Sequence, residues 1–283
     1  MTNEPPRAAS GRRPRLTRRG RLVLITTAVV AVAVAVLVPV LLTTGEPPAE
    51  EKKTVSLLVP EGRRATEVYA SVDKVLGVPS GTAAKAATSA RLQLPGAARR
   101  NPEGYLFPAT YPVEAGATPA GLLGYMVDTA QERFGAERIT EGARRNGMTV
   151  YQTVTIASIV QAEADTAADM GRVARVVHNR LARDMPLQMD STLNYALNRS
   201  TLDTTRSDTK TESPYNTYEL RGLPPTPIGN PGEMAMKAAI SPAQGDWLYF
   251  VTVAPGDTRF TADYAEHRSN VAEFNANRSS ATP

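Results

Sequence analysis

The chain of 283 residues has no cysteine and only two histidines, His178 and His267. Disulfides, thiolate zinc sites and cysteine nucleophiles are excluded outright. No histidine-rich metal site can be assembled either, so no metal or cofactor is expected. A net positive charge is also missing once the first residues are set aside. A formal net charge of +4 invites a nucleic-acid or anionic partner, but residues 1–21 hold seven arginines and one acid, a net of +6, which leaves −2 for the remainder. The basic character belongs to the tail, and a nucleic-acid partner is not expected.

What is present first is one long apolar run. Leu22–Leu42 is 21 residues without a charge, dominated by Val, Ala and Leu. As a helix it would span about 31 Å, enough to cross a bilayer core. A cleaved signal peptide is the competing reading, but its apolar region is shorter, and no A-x-A-like cleavage site follows Leu42. The arginines before the run, with Glu46, Glu50 and Glu51 after it, keep the N-terminus in the cytoplasm. The expectation is a single-pass protein of the cell membrane. Residues 1–21 would be a basic, disordered cytoplasmic tail, 22–42 the transmembrane helix and 43–53 a linker, with the body of the protein outside.

From Thr149 to Ala164 apolar residues recur at helical spacing, at Val150, Val154, Ile156, Ala157, Ile159 and Val160. Glu163 lies three and four residues beyond Val160 and Ile159, on the same face. A carboxyl group there loses water, which disfavours its charged form and raises its pKa. That is what a general acid near neutral pH needs. Taken alone, the pattern equally allows a glutamate at the edge of the stripe or one paired with an arginine.

Four polar and aromatic clusters follow. They are Asn179-Arg180-Leu181, then MPLQMDST from Met185 to Thr192, SPYNTY from Ser213 to Tyr218, and GLPPTPI from Gly222 to Ile228. With ASIVQAE at Ala157–Glu163 before them, this order resembles the YceG-like endolytic murein transglycosylases, the MltG family. That family's pattern reads approximately A-S-I-V-E-x-E, N-R-L, M-x-L-Q-x-D-x-T, S-P-Y-N-T-Y and G-L-P-P-x-P-I-x-N-P-G. Upstream, EGYLFPATY at Glu103–Tyr111 is similar to the family's E-G-Y-L-F-P-x-T-Y, and Trp247–Val251 to its L-Y-F-V strand. The resemblance implies that Glu163, the second acid of the family's E-x-E, is the catalytic one. Gln161 replaces the first acid and cannot serve as one, and His178, where the family usually has an aromatic residue, is read as packing.

The resemblance further implies a small LysM-like βα module at 54–135 and a catalytic domain at 147–275, an α+β fold of the lysozyme-like sort. The first region carries a weak internal echo. Val59-x-x-Gly62 followed by Val68, and Val113-x-x-Gly116 followed by Leu122, each read as strand, turn glycine and amphipathic helix, with helices at 65–76 and 119–134. Such units are common in any α+β protein, so sugar binding by this module stays open. After the helix at 149–164 the periodicity predicts a second one that buries Met170, Val173, Ala174, Val177 and Leu181 and ends before Pro186. A short helix at 192–198, a mobile surface loop at 199–212, and a hairpin of strands 247–253 and 258–261 complete the expectation.

The chemistry turns on another scarcity. A glycosidase that uses water deploys two carboxyl groups, and near Glu163 the motifs offer few. Asp165 points elsewhere on a helix and Asp169 falls between helices, which leaves Asp190 as the only partner. A lytic transglycosylase needs one acid, which by the resemblance is Glu163. It would protonate the leaving glycosidic oxygen, then as carboxylate take the proton from the C6 hydroxyl of the N-acetylmuramoyl residue as that hydroxyl attacks its own C1. The product is a 1,6-anhydro end. Gln188, Asn216 and Thr217 have amide and hydroxyl groups suited to N-acetyl and sugar hydroxyls, and Tyr195, Tyr215 and Tyr218 offer flat faces for sugar rings. Asp190 and Thr192 complete the expected substrate-binding set; the competing role for several of these residues is to stabilise turns. Asn179 and Arg180 could equally hold the helix end against the Asp190 loop.

Three functions therefore stand. One is a membrane-anchored lytic transglycosylase that ends nascent glycan strands, with peptidoglycan synthases or division proteins as candidate partners. The second is a muramidase-type hydrolase of the same bond. The third is a membrane-tethered wall-binding scaffold without activity.

Overall fold

Leu57 is the buried residue of strand β1 (Val55–Leu58) and Tyr111 that of strand β2 (Thr110–Val113). The antiparallel register sets them directly opposite one another, so both fall on one face of a two-stranded sheet. The structure is a computed structural model that describes residues 55–201 and 204–281. The basic tail, the apolar run at 22–42 and the linker to Lys53 lie outside the described residues. Among the described residues no helix is long and apolar enough to cross a membrane.

Between the strands run helix α1 (Ala65–Leu76), helix α2 (Thr82–Ser89) and a single 3-10 turn at Gly96–Ala98. Helix α1 stops at Gly77, whose φ of 63° gives the left-handed C-cap that glycine adopts without strain. Asp73, buried on α1, accepts the amides of Gly81 and Ala83 at 2.7 Å each and so caps the start of α2. Helix α3 (Pro119–Gly135) follows β2, with Thr118 as its N-cap and proline in its first turn. Val68 and Val72 of α1 meet Leu123, Met126 and Val127 of α3 over Leu57 and Tyr111 to make the first core.

The second core gathers around helix α5 (Val150–Glu163). A reciprocal capping box starts it: Thr149 accepts the Gln152 amide, and the Gln152 side chain accepts the Thr149 amide. The expected one-sided stripe is not what forms. Every residue from Thr153 to Val160 is buried, because helices α4 (Glu137–Arg145), α6 (Ala167–Ala182) and α8 (Glu233–Ile240) pack around α5. The polar members of that run stay satisfied within the helix. Thr153, Thr155 and Ser158 donate to the carbonyls of Thr149, Tyr151 and Thr155.

Helix α6 buries Met170, Val173, Ala174, Val176, Val177 and Arg180, while Leu181 is only part-buried. The next helix, α7, runs Asp190–Ala196, beginning two residues earlier than the periodicity predicts, so that Asp190 sits in its first turn. The loop after it is not an unanchored surface segment in its described part. Arg199 pairs with Asp208 at 2.7 Å, and a short 3-10 turn forms at Asp208–Lys210. Strands β3 (Tyr249–Ala254) and β4 (Asp257–Thr261) form the expected hairpin, and helix α9 (Tyr264–Ala281) packs on it.

Asn230 ties segments of the two cores together. Asn230, fully buried, donates its backbone amide and its side-chain Nδ2 to the Arg63 carbonyl, accepts the Gly62 amide on its carbonyl, and accepts the Leu106 amide on Oδ1. Close approach is enforced beside it. A Cβ on Gly104 would lie 2.5 Å from Pro227, and one on Gly229 would lie 2.7 Å from the Gly62 carbonyl oxygen. The described residues accordingly form one compact unit.

Candidate active site

Glu163 is the last residue of α5, where the helix emerges from the core, and it is part-buried. The hydroxyl of Ser191 donates to its Oε1 at 2.6 Å and the Ser191 amide reaches the same oxygen at 3.3 Å. Among the described residues Oε2 receives no hydrogen bond. Burial pushes the Glu163 pKa up, the Ser191 hydrogen bonds oppose this, and the negative charge of Asp190 adds to the rise. The C-terminal end of a 14-residue helix carries partial negative charge, which disfavours a second negative charge there. A carboxyl group in this position retains its proton to higher pH than a free one.

Asp190 and Ser191 open α7, and two tethers fix the segment before it. Gln188 takes a left-handed backbone, φ 53°, and its amide donates to the Thr217 carbonyl at 2.9 Å. Arg180, buried on α6, supplies the other tether. Its guanidinium donates to the carbonyls of Leu248, Pro186 and Leu187 and to Gln188 Oε1, at 2.7 to 3.0 Å. Arg180 thus binds the β3 hairpin and the loop before α7 to one point of α6. Asn179 donates to the carbonyls of Gly245 and Trp247.

The expected substrate-binding residues divide by environment. Gln188 is exposed, and Asp190, Tyr195, Tyr215 and Tyr218 are part-exposed. Tyr218 donates its hydroxyl to Asp190 Oδ1 at 2.5 Å, and its own pKa is raised by burial and by that bond. Tyr195 and Tyr215 pack with ring centroids 4.8 Å apart. Thr192, Asn216 and Thr217, by contrast, are buried with their polar groups spent inside the protein. Thr192 and Thr217 share a hydrogen bond at 2.8 Å, Thr217 also accepts the Met189 amide, and Asn216 donates to the carbonyls of Thr209 and Thr211. These three hold the walls, a role the turn-like composition had kept open.

Other positions have plain assignments. Gln161 accepts the Gly232 amide at 3.0 Å, fixing the start of α8. His178 bonds the Ala239 carbonyl, and burial lowers its pKa, so it packs as a neutral ring. Asp165 is exposed and lies beyond the end of α5 rather than on a helix, and Asp169 lies not between helices but in the first turn of α6, its amide donating to the N-cap Thr166. Two residues, one at Glu163 and one behind Tyr195, were not singled out by sequence reasoning. Ser191 lies within MPLQMDST, and Glu103 heads EGYLFPATY.

A family model described as the YceG-like family matches residues 35–273. The endolytic murein transglycosylase of Bacillus subtilis (strain 168) is 37% identical over 166 residues, which are 58% of this chain and 46% of that protein. The protein of the same name from Streptococcus pneumoniae serotype 2 is 36% identical over 182 residues, 62% of this chain and 33% of that one. This chain therefore matches less than half the length of these curated relatives. A crystal structure of a yceG-like protein from Listeria monocytogenes superposes with a TM-score of 0.66 at 29% identity, over 76% of this chain and 75% of the other. Because the family model covers most of its length, the chain belongs to the YceG-like family.

Proposed function

We propose that this protein is a membrane-anchored endolytic lytic transglycosylase that cleaves the MurNAc–GlcNAc bond within nascent peptidoglycan strands and leaves 1,6-anhydro-MurNAc ends. The observation that carries the reading is the setting of Glu163, a single carboxyl with a raised pKa whose Oε1 is held by Ser191. With Oε1 so engaged, the proton resides on Oε2 and passes to the leaving glycosidic oxygen. The resulting carboxylate then removes the proton of the C6 hydroxyl while that oxygen bonds to C1. One bond to C1 breaks and one forms, no water is consumed, and one group serves as acid and then base. The names carried by the relatives support the same reading.

Gln188, Tyr195, Tyr215 and Tyr218 supply amide and aromatic contacts to the sugars in this proposal, and Asp190 positions Tyr218. The apolar run at 22–42 supports a single span in the cell membrane with the N-terminus in the cytoplasm, which would hold the enzyme near newly made strands. Synthases or division proteins working at the same surface are the candidate partners.

One observation favours a second reading. Asp190 stands close enough to raise the Glu163 pKa, and a hydrolase would use such a second carboxyl group to activate water. The products decide between them. Purified peptidoglycan digested in ¹⁸O-labelled water should give muramoyl ends about 18 Da lighter than hydrolysed ones and free of label. Labelled reducing ends as the main product would replace the transglycosylase with a muramidase.

A further inference from the structure

Outside the Glu163 site, among the described residues, one buried carboxylic acid has two oxygens that reach different parts of the fold. Glu103 is 3% exposed, accepts the Ala65 amide on Oε1 at 2.9 Å and accepts the Tyr195 hydroxyl on Oε2 at 3.0 Å. Ala65 is the first residue of α1, in the N-terminal module. Tyr195 lies on α7, four residues after Ser191 and hence on the same helix face. Helix α7 has only seven residues, too few to keep its own orientation without anchors. The Arg64 guanidinium lies 5.2 Å from the centre of the Tyr195 ring and also donates to the Arg199 carbonyl, closing over the same contact.

We propose that Glu103 is a positioning residue for cleavage: by clamping Tyr195 to the start of α1 it sets the rotation of α7 that aims Ser191 at Glu163. The clamp makes the catalytic geometry depend on the seating of the N-terminal module, since the oxygen not holding α7 holds the first amide of α1. The charged and titratable groups that face Glu103 fit a closed contact. They are Arg64 at the α1 cap, Glu67 and Tyr69 on α1, Tyr151 on α5 and Tyr195 on α7. Burial raises the Glu103 pKa to about 7, so near neutrality the group also exists as an acid. In that form it still accepts from Ala65 while its proton bonds the Tyr195 oxygen, an arrangement that glutamine reproduces with its Nε2.

This inference rests on Glu163 being the acid of the proposed reaction, and its test reads both activity and geometry. In full-length protein in detergent, Glu103→Ala should lower kcat for peptidoglycan cleavage by about 10- to 100-fold with KM little changed, the cost of a misplaced catalytic group. Glu103→Gln should recover most of that loss. The second readout needs no turnover: the Ser191 amide points at Glu163, so its ¹⁵N shift should follow the Glu163 titration, with a reduced amplitude in Glu103→Ala. Tyr195→Phe removes only the hydroxyl and serves if the alanine variant does not fold; it should reduce the same amplitude. Loss of activity that merely tracks the unfolded fraction, or a Ser191 titration unchanged in folded Glu103→Ala or Tyr195→Phe, would overturn the clamp. A wild-type protein that cleaves nothing would refute the proposed function, while the Ser191 titration would still decide this one.

Discussion

Ser191 turns both of its donors on one oxygen of Glu163, the hydroxyl at 2.6 Å and the amide at 3.3 Å. A helix end and the start of a second helix are thereby joined through the carboxyl group proposed as the acid. Among the described residues the other carboxyl oxygen accepts no hydrogen bond.

Glu163→Gln keeps the shape of the side chain and removes its titration. Peptidoglycan cleavage should fall by at least the roughly 10²–10⁴-fold attributed to general acid–base catalysis, with far-UV circular dichroism unchanged. Retention of more than a tenth of wild-type turnover in the folded variant would rule Glu163 out as the acid.

Ser191→Ala deletes the shorter of the two hydrogen bonds, which hold the Glu163 pKa down against burial. The pKa should then climb further, because the charged form loses a partner and the neutral form loses less. The alkaline limb of the kcat/KM profile, where the acid form disappears, should move to higher pH. A limb that stays in place or moves to lower pH would separate Ser191 from the proton transfer.

How far the site could be read from the sequence depended on where each burial came from. Helix α5 was legible because its apolar residues recur at helical spacing. Glu163 followed from that helix, although its burial comes from the helix end meeting α7 rather than from a stripe. Glu103 was not legible, since its partner Tyr195 lies 92 residues away and no local pattern marks the contact. Ser191 was hidden by sitting beside Asp190, where serine reads as turn chemistry. The C-terminal helix α9 was missed for a related reason. It is anchored by Glu273 and Asn270 to Arg259 and by Glu266 to Thr261, polar pairs that leave no apolar periodicity. Helix α8 is short and follows a proline-rich segment, which masked its Met236 and Ile240 as loop residues.

Glu103 should make stability fall as pH rises. The folded protein keeps its proton up to about 7, against 4.5 for the free side chain, so between those values the folded state binds more protons than the unfolded one. Stability present below the lower value is lost through this window, about 3 kcal/mol at roughly 1.4 kcal/mol per unit. Glu103→Gln has no proton to lose, so its urea midpoint should exceed that of wild type at pH 8 and match it at pH 4.5. Equal midpoints at both pH values would show that burial does not raise this carboxyl group.

Arg180→Met fills the space of the arginine stem but leaves the carbonyls of Leu248, Pro186 and Leu187 without their donor. Each orphaned buried acceptor costs about 1–3 kcal/mol, so a loss of roughly 3 kcal/mol or more is expected. Hydrogen exchange should rise first in the hairpin of β3 and β4 and in the loop before α7. Arg180→Lys should restore only part, because one ammonium cannot match the spread of a guanidinium fork. Unchanged exchange in the hairpin of Arg180→Met would show that its hold lies elsewhere.

Asn230 has a consequence for anyone who would exchange parts between relatives. Its contacts run to Gly62, Arg63 and Leu106, so three stretches distant in sequence carry a single matched surface. A chimera cut after α3 inherits the Gly62 and Leu106 side of that surface from one parent and Asn230 from the other. Gly104 against Pro227, and Gly229 against Gly62, add a steric key to the polar one. The heritable unit for grafting is therefore the trio of segments around residues 61–64, 101–107 and 227–231, transplanted together, whatever boundary the strands and helices suggest.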